Sequence, residues 1–209
     1  MAAGRIPGFA GRDVYENVNP KIVDLYDGER LVLDIGCGSG ALGERIKQLN
    51  PDAVVHGIDI SPEAGAAAVE RIDRFIRLDL DREVLPDLGT EYDLIILGDI
   101  LEHLKRPDTL LTELRSRLSR SGRIILSVPN IANYSIRLRL LLGKFNYTET
   151  GILDRSHVRF FTYDTITWMI GQCGYRIAAR RFISRFPDRL VRCLFRLLAV
   201  QFIFRLEKE

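Results

Sequence analysis

The chain of 209 residues lacks any uninterrupted apolar run of about 20 residues, the length a membrane-spanning helix needs. Its opening stretch, MAAGRIPGFAGRDVYENV, also lacks the continuous apolar segment of a secretory signal. A cytoplasmic location is the expectation. Cysteine is scarce: Cys37, Cys173 and Cys193 are an odd number with no CxxC spacing. That excludes a disulfide framework and argues against a zinc knuckle, leaving three free thiols. Internal repeats and low-complexity blocks are absent, which excludes a solenoid.

What is present is ordinary for a globular domain, with 46% apolar and 28% charged residues. The length suits one domain over residues 1–209 better than two. The net charge of +2 hides an asymmetry: residues 1–130 carry 16 Lys and Arg against 22 Asp and Glu, whereas residues 131–209 carry 14 against 6. A basic final third suits an anionic small molecule, a nucleic acid, a membrane surface or plain solvation.

Apolar runs rich in Val, Ile and Leu alternate with helix-length segments, the pattern of a parallel sheet covered on both faces. The expected strands lie at 31–35, 54–60, 75–78, 92–98 and 123–128, and the expected helices at 42–49, 62–71 and 107–119. Pro62 and Pro107 fit first-turn positions. A short amphipathic helix is expected at 20–26. Residues 130–160 read as an insertion carrying a helix at 131–142. A helix at 164–173, a strand at 175–183, a helix at 188–199 and a strand at 200–206 follow, the last two strands pairing antiparallel at a sheet edge. The expected architecture is therefore α/β, a Rossmann-like seven-stranded, mostly parallel sheet with an antiparallel edge hairpin.

The first strand ends in Asp34-Ile35 and runs into Gly36-Cys37-Gly38-Ser39-Gly40 before a helix. Glycines there let a ligand approach the main chain and meet the helix N–H groups. The loop alone is ambiguous, because Gly36-x-Gly38-x-x-Ala41 also satisfies a dinucleotide fingerprint. Of three carboxylates nearby, Asp34 and Asp79 narrow the choice, while Asp59 would serve a dinucleotide equally. Asp34 stands inside an apolar strand, where a charge is costly without a cationic partner such as an ammonium. Asp59, at the end of the second strand, can accept from both ribose hydroxyls. Asp79, followed by Leu80, can accept from an exocyclic adenine amine.

On these residues LVLDIGCGSG (31–40) resembles the first motif of class I S-adenosylmethionine-dependent methyltransferases, GIDIS (57–61) the second, LDL (78–80) the third and EYDLIILGDILEHL (91–104) the fourth. The resemblance covers roughly residues 15–209. It implies S-adenosylmethionine as cofactor, with Asp34, Gly36, Cys37, Gly38 and Gly40 around its methionine part, Asp59 and Ile60 at ribose, Asp79 and Leu80 at adenine, and Gly98 nearby. It also implies that a helical segment at 13–29 lies over the cofactor end and that the insertion 130–160 covers the acceptor. The segment DRSHVRFFT (154–162) resembles one found in bacterial methyltransferases associated with glycan and secondary-metabolite pathways.

A methyl acceptor must be positioned and deprotonated. Asp99 and His103, at the end of the fourth strand, and His157, in the insertion, are the candidate catalytic residues, with Arg155 and Arg159 as donors for an anionic or sugar-like acceptor. Helix capping or packing explains His103 equally well. Ion pairs of Asp154 and the arginines, with Phe160 and Phe161 entering the core, are the structural alternative for the insertion. Asp99, Glu102, His103 and His157 together resemble the carboxylate and histidine set with which ubiquinone-pathway O-methyltransferases and small-RNA 2′-O-methyltransferases bind a divalent metal; a metal is not the favoured expectation, since the first acid is Asp and the later histidine has a different setting. The segment 189–205 mixes Leu, Phe and Val with arginines. Packing into the core is expected of it before a peripheral membrane contact. The expected activity is methyl transfer to a hydroxyl, or an amine, of a small-molecule or glycan acceptor. RNA 2′-O-methylation, which the lack of an RNA-binding module disfavours, and a non-catalytic cofactor-binding subunit are the alternatives. Oligomeric state is open.

Overall fold

The computed structural model describes residues 18–209, so the first part of the expected 13–29 segment lies outside the described residues. Helix α1 (Pro20–Val23) is capped by Asn19, whose side chain accepts from the Lys21 N–H. It is shorter than the 20–26 helix expected.

The sheet has seven strands: β1 (Leu31–Ile35), β2 (Val54–Asp59), β3 (Arg74–Arg77), β4 (Tyr92–Gly98), β5 (Leu118–Pro129), β6 (Tyr175–Ile183) and β7 (Gln201–Lys208). Their order is β3-β2-β1-β4-β5-β7-β6. β7 pairs antiparallel with both β5 and β6, and every other pairing is parallel. Helices α2 (Ala41–Leu49), α3 (Pro62–Ala68), α4 (Pro107–Leu114) and α6 (Tyr163–Gln172) connect the strands; α5 (Tyr134–Leu141) lies in the insertion and α7 (Asp188–Leu198) bridges β6 to β7.

Two apolar layers sandwich the sheet, as a parallel sheet requires. Leu33, Ile35, Ile95, Leu97, Ile124, Leu126 and Phe204 face the layer that includes Leu111 and Ile170; Val32, Val55, Leu94, Ile96, Ile125 and Ile203 face the one that includes Ile22 and Ile46. The alternation along β1, β4 and β5 is the period of two that sends successive side chains to opposite faces.

Two boundaries differ from expectation for one reason. The helix expected to run to 119 stops at Leu114, and β5 begins at Leu118 rather than 123. Leu118 pairs with Tyr92 and Arg123 with Leu94, so the polar run Ser119–Gly122 forms an irregularity within the strand pair. Gly122 is required there, since a Cβ would stand 2.6 Å from the Tyr92 carbonyl oxygen.

Candidate functional site

The parallel strands β1, β2, β4 and β5 end on one edge of the sheet, beside the crossover where β1 is flanked by β2 on one side and β4 on the other. Ligands of open α/β sheets bind at such an edge. Gly36 (φ 78°), Gly38 (φ 52°) and Gly40 (φ 79°) turn the chain from β1 into α2 in left-handed backbone that glycine adopts without strain. Close approach adds a second constraint. A Cβ on Gly36 would stand 3.0 Å from Ile100 Cδ1, and one on Gly40 would stand 3.2 Å from the Ala68 Cα.

Asp34 is only 3% exposed, and no hydrogen-bond donor among the described residues reaches its carboxylate. Burial, assisted by the charge of Asp59, raises its pKa to about 7. A carboxylate left in this condition beside a glycine cradle is one that a ligand ammonium would satisfy. Asp59 is already engaged: its two oxygens accept from the N–H groups of Gly38 and Ser61, each at 2.9 Å. Each oxygen keeps a lone pair for a ribose hydroxyl. Cys37 contributes packing. Its side chain packs with Val32, Ile46 and Val55, its N–H donates to the Ile58 carbonyl, and burial pushes its thiol pKa up.

An open cleft of ≈ 570 Å³ lies next to Asp59, lined by Ile60, Arg77, Asp79, Arg82 and Glu83. Its volume suits a nucleoside-sized ligand. Ile60 is 56% exposed and offers an apolar wall. Asp79 accepts from the Asp81 N–H and pairs with Arg82 at 3.4 Å, while Leu80 packs against the core.

The opposite side of the edge holds the candidate chemical groups. Gly98 is covered by Ile22 of α1, whose Cδ1 would lie 3.4 Å from a Cβ there. Asp99 adopts φ 52°, the only positive φ of a non-glycine among the described residues. Such backbone costs a non-glycine residue energy and persists where its surroundings hold it. Here Gln201 donates to both carboxylate oxygens, at 2.5 and 2.6 Å, and the Ser127 hydroxyl donates at 2.9 Å. Asn19 in turn donates to Gln201 at 3.1 Å, so the cap of α1, the start of β7 and the end of β4 are tied together. Loss of hydration raises the Asp99 pKa, against the lowering effect of Gln201 and Ser127.

Asp99 stands outside the metal-competent group, which corrects the expected four-residue set. Among the described residues Glu102, His103 and His157 bring ligand atoms within 4.8 Å of one another, while both Asp99 oxygens are held by Gln201 and Ser127. The insertion supplies His157: the N–H groups of Val158 and Arg159 donate to the Glu102 carbonyl at 2.9 and 3.0 Å. His157 Nδ1 lies 3.1 Å from the Ile152 carbonyl oxygen, which assigns the proton to Nδ1 and leaves Nε2 facing Glu102 Oε1 at 4.0 Å. The two imidazoles meet edge to face at 4.8 Å. Glu102 is 1% exposed and both its carboxylate oxygens lack a hydrogen-bond partner. Burial, then the charge of Asp99, holds its pKa well above the ordinary carboxylate range. Burial and the neighbouring His103 lower the pKa of His157.

A small recess bounded by Glu102, Pro129, Ile152, His157, Phe160 and Phe161 encloses the inner part of this cluster. His103 is the half-exposed member, while the His157 side chain is 6% exposed. The expected ion pairs of Asp154 with the arginines do not form. Asp154 instead accepts from Ser156, Arg155 pairs with Glu149, and Arg159 donates to the Lys105 carbonyl. Phe161 is buried as expected, but Phe160 is only half-buried.

The sequence carried no sign of Ser127, Gln201 or Asn19 as site residues, since their contacts cross 28, 102 and 182 positions of chain. Asn130 and Asn133 were missed as well. Both are buried and donate to the Ala199 carbonyl at 2.9 and 3.0 Å, which fixes the start of the insertion against the end of α7.

Comparison with known proteins agrees with this fold. Residues 33–124 match the family model described as a methyltransferase domain. A ubiquinone biosynthesis O-methyltransferase of Xanthomonas euvesicatoria is 31% identical over 104 residues, 47% of this chain and 43% of that protein. A malonyl-[acyl-carrier protein] O-methyltransferase of Halalkalibacterium halodurans is 30% identical over 111 residues, 50% of this chain and 41% of its own. The chain thus matches less than half the length of these relatives. Over nearly its whole length it shares the fold of a SAM-dependent methyltransferase from Archaeoglobus fulgidus, with a TM-score of 0.64 at 18% identity and 90% of each chain covered. A SAM-dependent methyltransferase from Mesorhizobium loti gives 0.63 at 17%, covering 90% of this chain and 95% of that one. No helix among the described residues is long and apolar enough to cross a membrane.

Proposed function

We propose that the protein is an S-adenosylmethionine-dependent methyltransferase acting on a hydroxyl of a small-molecule or sugar-containing acceptor. The observation that carries the cofactor assignment is Asp34, a buried carboxylate without a donor at the mouth of the Gly36–Gly38–Gly40 turn. When bound, S-adenosylmethionine supplies an electrophilic methyl on a sulfonium. Asp34 meets its ammonium, Asp59 its ribose hydroxyls, and Ile60 and Asp79 wall the adenine cleft.

The acceptor reaches the edge beside β4 and β5. His103 is the group placed to take a proton from it, being half-exposed and packed against His157. The low pKa of His157 keeps a second positive charge from forming next to a protonated His103. Asp99 is fixed beside this edge by Gln201 and Ser127. The test is transfer of label from methyl-labelled cofactor to a panel of hydroxylated acceptors, with calorimetric cofactor binding measured in parallel. Cofactor that does not bind at millimolar concentration would refute the reading.

A second reading rests on Glu102. Its two oxygens without a partner, together with His103 and His157, fit a divalent cation, which would polarise an acceptor hydroxyl. Addition of Mg²⁺ or Mn²⁺ would then raise the melting temperature of the wild type but not of Glu102→Gln. Activity that persists after exhaustive chelation would reject the metal.

A further inference from the structure

Helices α5 and α7 stand beyond the same sheet edge as the glycine turn. α7 leaves the sheet after Ile183 and returns at Gln201, a register partner of Ile183. α5 is held beside it: Asn133 donates to the Leu198 and Ala199 carbonyls, and Tyr134 meets Phe186 edge to face at 5.5 Å. α7 sends Val191 and Leu198 inward and stacks Phe195 on Phe182, which is the packing expected of it. Its remaining large apolar residues, Leu190 and Leu194, are exposed, the second standing at a kink in the helix (φ −121°). On α5 and the turn after it the exposed apolar set is Tyr134 (39%), Leu138 (56%), Leu140 (49%), Leu141 (82%) and Leu142 (63%), with Phe145 (37%) and Tyr147 (55%) following. Only Ile136 of that helix is buried.

Cations flank both stripes. Segments 134–149 and 184–198 carry seven Lys and Arg against two acids, Glu149 and Asp188, and Glu149 is paired with Arg155. Among the described residues Arg139, Lys144, Arg185, Arg189 and Arg192 form no ion pair. Leucines exposed to water between unpaired cations are the composition of an interfacial surface, where apolar side chains enter the acyl boundary and cations meet anionic headgroups.

We propose that the α5–α7 face docks on an anionic lipid surface and thereby brings the acceptor edge of the sheet to the membrane. The chemistry of the face favours lipid over two other occupants. A two-fold interface with a second copy would set this cationic patch against itself. A nucleic acid would be met by cations interleaved with stacking aromatics, whereas the exposed apolar side chains of these two segments are six leucines against three aromatics, Tyr134, Phe145 and Tyr147. Docking is independent of the methyltransferase reading, since it rests on surface residues that touch neither Asp34 nor His103.

The experiment is flotation of the full chain with neutral phosphatidylcholine vesicles and with vesicles in which about a third of the lipid is phosphatidylglycerol. The anionic vesicles should carry the protein upward at low salt, less so at high salt, and the neutral ones should not. Leu141→Ser/Leu142→Ser and Arg189→Glu/Arg192→Glu should each lower partitioning by about tenfold or more. Both double variants change exposed side chains, and unchanged calorimetric binding of the cofactor or an unchanged melting temperature verifies that they fold. Equal flotation with neutral and anionic vesicles, or full partitioning by both double variants, overturns the proposal. So does a concentration-dependent dimer that Leu141→Ser/Leu142→Ser dissociates, or salt-sensitive binding to RNA with no flotation.

Discussion

If Asp34 meets the ligand ammonium as proposed, its buried carboxyl makes cofactor binding a proton-linked event. In the free protein its pKa stands at about 7, against an ordinary value of 3.8. A ligand ammonium beside it favours the charged form, so the pKa falls on binding and a proton leaves. At pH 6 about 0.9 proton should be released per cofactor bound, and at pH 8 about 0.1. The dissociation constant should therefore tighten about tenfold per unit between pH 5.5 and 7 and level off above. Titration calorimetry in two buffers of different ionisation enthalpy counts the proton directly. The ligand's own amine titrates near pH 8, so the acid side of the range is the informative one. Asp34→Asn should bind weakly at every pH and lose the slope. The free protein carries the opposite linkage. Its native state holds a proton that the unfolded chain releases between about pH 4 and 7, so its stability falls as pH rises through that window, by at most about 4 kcal/mol. An unchanged slope in Asp34→Asn, or a flat wild-type profile, would refute the assignment of Asp34 to the ammonium.

Asp59→Ala should weaken cofactor binding by tenfold or more and also lower stability by about 1–3 kcal/mol, because two backbone N–H groups lose their acceptor; calorimetry and thermal melting read the two effects separately. Gly38→Val forces a β-branched residue into φ 52° and should abolish cofactor binding, so a variant that binds normally would contradict the cradle. His157→Ala should leave cofactor affinity within about twofold while cutting turnover about a hundredfold through loss of the neighbour that positions His103; equal turnover removes His157 from the mechanism. With a thiol reagent at neutral pH only Cys193 should label quickly, since Cys37 and Cys173 are buried with raised pKa values; intact mass should show a single adduct.

The strand–glycine turn–helix on which the proposed cofactor site rests was legible in the sequence because its determinants are local. A strand, a glycine turn and a helix follow one another within 31–49, and Asp59 and Asp79 each stand at the end of an apolar run. The strand pattern was legible for a similar reason, as β1, β4 and β5 are buried on both faces and read as continuous Val, Ile and Leu. The acceptor half was not. Asp99 read as one set with Glu102, His103 and His157, yet its oxygens are held by residues of β5 and β7, and no local pattern in Ser127 or Gln201 announces this. Likewise Ser119–Gly122 read as the end of a helix because polar residues and glycine are turn-formers in isolation. Pairing of Leu118 with Tyr92 overrides that preference.

The position of β7 bears on the order in which the protein can be made. Strand β5 is complete once Pro129 has been synthesised, but the neighbour it needs on its outer side is residues 201–208. Until those residues leave the ribosome, the growing chain presents an unpaired edge with apolar residues on both faces, and β6 has no strand to join. A nascent chain in that condition is open to wrong pairings and to chaperones. Gln201 arrives with the same segment, so the clasp on Asp99 closes only when the sheet does. The seventh strand of this sheet is then a checkpoint: a sheet that has not closed also lacks a finished site.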